Sequence, residues 1–381
     1  MAFRRLGVVV SRARAKSYYE RWMEQEGVPI VEGCSVWDLR DLALRPWKRL
    51  GCDGAYLQLS GLEGVAGVYV GKLAPGRSSE PEKHLFEKII YIVEGEGVAE
   101  IQQQGRVPQA FHWRAGSLFS PPMNATHRLI NHSHEPALFL AVTTAPLALD
   151  HYHNARFVFN SDFCFSDRYD GERDYFAPRE EHYLSSGNRH WIYETNFISD
   201  LRGAAAVAVE PRWTGENVAQ IEMANNALTG RLAGWPVGTS YTPENRGGGS
   251  VVVNLGSEGY SLMWPKEFGA KPYETGHRHG VVRVDWQAGS VFSAPANCFE
   301  RHFNTSREPG LQLALYCGGE KFPMGAEVAA LRAAVYTSVM ENPMPGEVPG
   351  EDAEIRRMYE VELRDRGIAP GLNYAVAVNA D

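Results

Sequence analysis

The chain has 381 residues, 44% of them hydrophobic and 22% charged, with a net charge of −8 at pH 7. That length suits two domains of ordinary size plus connecting elements, and the balance is that of a soluble globular protein with a sizeable core. An acidic chain with no basic patch interleaved with aromatics is a poor partner for nucleic acid or for anionic membrane.

No uninterrupted apolar run approaches membrane-spanning length. The opening "MAFRRLGVVVSRARAK" is basic, but its apolar run is too short for a secretion signal, so a cytoplasmic location is expected. The five cysteines (Cys34, Cys52, Cys164, Cys298 and Cys317) are odd in number and scattered, which argues against a disulfide framework or a thiolate zinc site. Cys298 reads as a small buried hydrophobe.

Residues 1–52 form a lead, in which "SYYERWMEQEGVPIVEG" (17–33) predicts a short helix ended by Gly27 and followed by Pro29. From 53 to 145 short apolar runs are broken by Gly, Pro and Asn, as in "GVYVGKLAPG", "KIIYIVEGEGVAEIQ" and "ALFLAVTTAP", which predicts an all-β unit with a glycine turn at "VEGEG". Residues 146–214 form an aromatic-rich connection centred on "HYHNARFVFNSDFCFSDRYDGERDYF", expected to pack on the domains and to help close a pocket. Within it His151 and His153 read as packing or interface residues. A second β-unit spans 215–320, where "SVVVNLGSEGYSLMW" echoes "KIIYIVEGEGVAEIQ". The segment 321–381 predicts two helices, "AEVAALRAAVYTSVM" and "EDAEIRRMYEVELRDRG", separated by "ENPMPGEVPG".

The two units repeat each other. "GSLFSPPMNATHRLINHSHEP" (116–136) and "GSVFSAPANCFERHFNTSREP" (289–309) align without a gap at a constant offset of 173, and Trp113 and Ala115 match Trp286 and Ala288 upstream. One swap stands out: His127 in the first copy is Glu300 in the second. Two copies of an antiparallel unit with a glycine hairpin fit a double jelly roll better than a solenoid, which needs more and shorter repeats.

At these residues the chain resembles a bicupin, a protein with two cupin barrels (double-stranded β-helix jelly rolls) on one polypeptide. "GSLFSPPMNATHRLIN" matches the second cupin motif through Gly116, Pro122, His127 and Asn131. "PGRSSEPEKHLFEKIIYIVEGEG" matches the first, with Gly95 and Gly97 fixing the register. The resemblance covers most of 55–145 and 215–318. It implies an all-β fold of two barrels with N-terminal and C-terminal helices, in a compact monomer or a homodimer.

The metal motifs are partly degenerate. Counting back from the glycine turn, the two histidines of the family pattern fall on Glu82 and His84, and its glutamate falls on Lys88 with Glu87 beside it. The second barrel's matching loop offers Asn245, Gly247 and Ser250, and Glu300 replaces its histidine. His277 and His279 have H-x-H spacing but fall in a hairpin, and a solvated loop is the reading adopted for them.

Two histidines and a carboxylate on one face leave open positions for substrate and oxygen, so Glu82, His84 and His127 are candidate ligands of one divalent transition metal, Fe(II) before Mn, Ni or Zn. Against this stands an inward Lys88, whose ammonium would pair with Glu82 or Glu87 and take the cation's place. A one-residue strand irregularity would instead turn Lys88 to solvent and bring Glu87 inside as a further ligand, and that is the orientation expected here. Lys88, Glu300 and His302 are the candidate catalytic groups of a metal-free alternative. Glu300 and His302 also read as a polar pair filling a retired metal cavity. Asn131 and Asn304 are candidate substrate contacts, with strand-end backbone satisfaction as their alternative role. The resemblance implies an oxygenase acting on a small organic molecule, aromatic or organic-acid, with the metal in the N-terminal barrel. The alternatives are a metal-independent isomerase, cyclase or lyase, and a non-catalytic binding protein.

Overall fold

Alternation of apolar and small residues along short runs builds two sheet sandwiches of like design. The computed structural model describes residues 15–179, 182–184, 191–203, 217–240, 249–295, 297–319, 321–322 and 352–371. In the first unit the large sheet runs Ile30–Gly33, Cys52–Leu59, Gly67–Leu73, Ala137–Thr143, Lys88–Glu94, Leu118–Phe119 and Phe197–Ile198. The small sheet facing it runs Thr126–Asn131, Glu96–Gln102 and Gln109–Arg114. The second unit repeats the pattern. Its large sheet has Leu228–Trp235, Gly310–Cys317, Val251–Gly256 and Val291–Phe292 at its centre, and its small sheet runs Val282–Trp286, Gly259–Pro265 and Cys298–Asn304. This is the all-β double jelly roll expected from the repeat.

The units are interlocked at their edges. Ser35–Val36, from the N-terminal lead, pairs with Val291–Phe292 of the second unit. Phe197–Ile198, from the connection, pairs with Leu118–Phe119 of the first. Between the two large sheets lies a shared apolar layer that includes Ile89, Tyr91, Leu138 and Leu140 from one side and Val251, Val253, Leu313 and Leu315 from the other. Side chains alternate across a strand, so the intervening Ile90 and Ile92 point instead into the first barrel, with Trp47, Tyr56, Tyr69 and Phe139.

Helix Tyr18–Gln25 forms where expected, opened by a capping box between Ser17 and Glu20. Gly27 follows in the left-handed conformation at φ 71°. The connection adds helices Ala145–Tyr152 and Ala155–Asn160, and packs Tyr169, Tyr175 and Phe176 against the first barrel. Helix Ala353–Asp365, capped by Asp352, lays Ile355, Tyr359 and Leu363 over Tyr260, Leu262, Trp264 and Phe303 of the second small sheet. The helix predicted over "AEVAALRAAVYTSVM" lies outside the described residues. No helix among the described residues is long and apolar enough to cross a membrane.

Candidate active site

Strand register decides which of Glu87 and Lys88 enters the first barrel. Lys88 shares parity with the inward Ile90 and Ile92, and it is 1% exposed. The strand pairs with Ala137–Thr143 without interruption from Lys88↔Thr143 to Ile92↔Phe139, and the irregularity lies beyond, between Leu138 and Phe139. No bulge therefore falls between Glu87 and Ile90, and the expected orientation is reversed: Lys88 points in. Glu87 points to the joint between the units, where its carboxylate accepts from the backbone N–H of Ala227 (3.1 Å) and Leu228 (2.8 Å) and from Arg168 Nη2 (3.1 Å). Glu87 is thus a clasp between the barrels and does not join the ligand group.

Glu82 and His127 face each other across a two-way backbone bridge, Glu82 N–H to His127 O at 3.0 Å and His127 N–H to Glu82 O at 2.9 Å. Glu82, His84 and His127 each offer one donor atom, all within 4.8 Å of one another, a group that could hold a metal ion. Each histidine spends its Nδ1 on a backbone carbonyl, His84 on Phe86 O (2.8 Å) and His127 on Ala125 O (3.1 Å). A carbonyl only accepts, so Nδ1 carries the proton and Nε2 keeps its lone pair. The His84 ring stacks on Phe86 at 3.7 Å, and its buried Nε2 has no hydrogen-bond partner.

The donor chemistry suits a transition metal, but the charge does not. Lys88 Nζ is hydrogen-bonded to Glu82 Oε1 and lies 3.2 Å from His127 Nε2 and 5.6 Å from the Tyr69 ring centre. Arg49 Nη1 donates to Glu82 Oε2 at 3.1 Å, and its Nε donates to Glu26 at 2.5 Å. Two carboxylates thus already meet two cations. With Lys88 protonated these residues do not fit a divalent ion, which would crowd like charge in a buried site.

The protonation pattern follows from burial and these neighbours. Burial opposes the Glu82 charge, but Lys88, His127 and Arg49 hold its carboxyl well below the usual range. Burial, and after it Lys88, pushes both His84 and His127 down. Burial also lowers Lys88, with Glu82 pulling the other way. Beside Glu82 lies a cavity of ≈ 10 Å³, about the space one water needs. Tyr19 and Trp22 of the N-terminal helix line it together with Arg49, Tyr56 and Tyr69.

In the second barrel Glu300 and His302 share an inward face, His302 Nε2 lying 3.8 Å from Glu300 Oε2. His302 Nδ1 instead meets Ser261 Oγ at 2.6 Å, and Trp286 Nε1 donates to the same oxygen at 3.0 Å. Burial, with Arg231 adding to it, pushes His302 down to about 3, which makes it a weak proton acceptor. Of the two roles open to Asn131 and Asn304, the hydrogen bonds are those of the strand-end role. Asn131 donates to Leu73, Ala74 and Glu135 carbonyls and accepts from Ser133, while Asn304 donates to Pro236 and Glu308 carbonyls and accepts from Ser306 N–H. Both close the loop after their own strand, as backbone groups there require.

His277 and His279 are exposed, with His277 stacked on Phe268 at 4.4 Å. His153 stacks on Tyr18 at 5.7 Å. Ser250 is buried, and Asn245 and Gly247 lie outside the described residues. Sequence reasoning passed over Arg49, which precedes the barrel in a stretch without a motif, and Ser261, which only the Trp113/Trp286 repeat could have flagged.

The model of the cupin domain family matches residues 69–143. Among solved structures, a variant of Bacillus subtilis oxalate decarboxylase aligns at 12% identity over 75% of this chain and 78% of that chain, with a TM-score of 0.47. A Bacillus subtilis oxalate decarboxylase studied for its Mn(II) centres aligns at 13% identity over 78% and 79%, also at 0.47. Likeness at this level transfers neither a substrate nor a reaction to this chain. Curated proteins give no significant match.

Proposed function

We propose that the chain is a bicupin whose N-terminal barrel, the part that the cupin domain family matches, is an enzyme site that moves a proton on a small organic substrate, with Lys88 as the working group. The observation that carries this reading is the place of the Lys88 ammonium, buried and held between Glu82 and His127. A lysine lowered by burial gives up its proton more readily than one in water and can then act as a base. Neutral Lys88 would take a proton from carbon next to a carbonyl and return it elsewhere, the step shared by isomerases, cyclases and eliminating lyases. Glu82, fixed by Arg49, would steady the ammonium so formed. A substrate reaches this point only when Tyr19, Trp22 and Arg49 give way, since the present cavity holds about one water.

A second reading, a divalent-metal oxidoreductase with Fe(II) on Glu82, His84 and His127, is favoured by one observation, the unpartnered Nε2 of His84. Proton-exchange NMR in deuterium oxide separates the two. Protein dialysed against chelator is incubated with a panel of small keto acids, hydroxy acids and enolisable aromatics. Deuterium uptake is expected without added metal, and Lys88→Gln should slow it by about 100-fold or more. Turnover that needs Fe(II) and consumes oxygen, or a Lys88→Gln rate equal to wild type, would sink the lysine reading.

A further inference from the structure

We infer that the Lys88 ammonium occupies the position of a metal ion in this barrel, so that the protein bars divalent cations with its own side chain and becomes a metal site once that charge is removed. This rests on the reading of Lys88 as the working group of the barrel, an ammonium at rest that acts once it gives up its proton, and it can fail separately from it.

Three independent features converge. The histidines are set for a metal, since both Nδ1–H groups are committed to backbone carbonyls, each Nε2 keeps its lone pair, and one donor atom of each lies within 4.8 Å of a Glu82 carboxylate oxygen. The occupant is too small for the group it satisfies. Lys88 reaches Glu82 and His127 but leaves His84 Nε2 buried without a partner, which costs that nitrogen its solvation with nothing in return. The strand holds the lysine in place, because Ile90 and Ile92 of the same parity are locked in the core and nothing between Glu87 and Ile92 shifts the register. The second barrel carries Ser250 and Glu300 at the places of Lys88 and His127, so the lysine belongs to the one barrel whose histidines remain.

Charge makes the exclusion selective. Glu26 and Glu82 balance Arg49 and Lys88 as the site stands. A divalent ion among the three donors would sit beside the ammonium, and a buried site screens that like-charge repulsion far less than water does. Substituting Lys88 by a neutral or acidic side chain removes that barrier and leaves three donors ready.

Cobalt(II) titration tests this, because its visible absorption reports on the ligands. Wild type, Lys88→Gln, Lys88→Glu and Lys88→Met are compared after chelator treatment, with far-UV circular dichroism confirming folding. One Co(II) per chain is expected in Lys88→Gln, bound at least about 100-fold more tightly than in wild type. Adding His84→Leu to that variant should abolish the absorption. Uptake by wild type with the same band and affinity would overturn the inference, and so would folded variants that all take up no cobalt. In the latter case, deuterium exchange lost in Lys88→Gln would leave the lysine enzyme standing without the exclusion of metal. Exchange unaffected in Lys88→Gln while cobalt binds would do the reverse.

Discussion

A tryptophan repeated in both barrels meets different neighbours in each. In the first barrel Trp113 lies opposite Gly97, and its Nε1 has no partner. In the second, Trp286 donates to Ser261 at 3.0 Å, and Ser261 in turn meets His302 Nδ1 at 2.6 Å. The other ring nitrogen of His302, Nε2, lies 3.8 Å from Glu300 Oε2. The pair therefore reads as a buried polar chain in a sealed interior. Its cost appears in acid. The folded-state value of His302 is about 3 and the unfolded value near 6.5, so the unfolded chain binds the proton first as pH falls. Stability from this group is complete above about pH 6.5 and is lost toward pH 3, by up to about 1.4 kcal/mol per pH unit. His302→Leu, the side chain present in the first barrel, should flatten that limb. Urea midpoints measured from pH 7 to 4 check it, and parallel curves for the two proteins would refute it. The candidate site was half legible at this scale. His127 and Glu300 were found because the repeat aligned them. Lys88 was misdirected because an assumed bulge changed its parity, and the real bulge near Leu138 leaves no mark in the sequence.

Elements read well wherever a local rule acts alone. The stop at Gly27 and Pro29 and the apolar spacing of "EDAEIRRMYEVELRDRG" announced their helices, which the structure caps at Ser17 and Asp352, and the glycine turn set the hairpin register. Gly97 and Gly259 show why that turn cannot vary. A Cβ on either would lie 2.0 Å from Ile130 O or 2.1 Å from Phe303 O, and 2.5 Å or 2.4 Å from the partner tryptophan ring. What no local rule could show is where the start of strand Lys88–Glu94 makes its tertiary bonds. Glu87, one residue before it, takes two N–H groups from the loop at 227–228 and the guanidinium of Arg168. Glu87→Ala would strip two amides of their acceptor at once and take the carboxylate from Arg168, whose Nη2 keeps Ala224 O, Asn225 O and Asn226 Oδ1, and should cost about 3 kcal/mol. Glu87→Gln, which keeps an acceptor oxygen, should cost less. Equilibrium urea unfolding of both variants gives the answer, and equal losses would mean the charge plays no part.

On the scale of the molecule, the repeat in the sequence suggests two domains, whereas the strands build one interlocked body. The exchanged pieces, Ser35–Val36 and Phe197–Ile198, are too short to show a period of two, and so stayed hidden in the lead and the connection. The shared layer is legible only afterwards, as the second parity of strands whose first parity fills each barrel. This arrangement predicts cooperativity. A barrel that unfolded alone would uncover its half of the shared layer and release a strand paired to its neighbour, so neither should open first. Leu140 and Leu313, both 0% exposed, lie on opposite sides of that layer. Leu140→Ala should cost about 2–5 kcal/mol, with the loss felt equally in both barrels. Native-state hydrogen exchange by mass spectrometry can compare Ile89–Ile92 in the first barrel with Val251–Val253 in the second. The substitution should lower the opening free energy of both segments by the same amount. A drop confined to Ile89–Ile92 would show that the barrels open independently, and the shared layer would then be a contact between two domains that fold on their own.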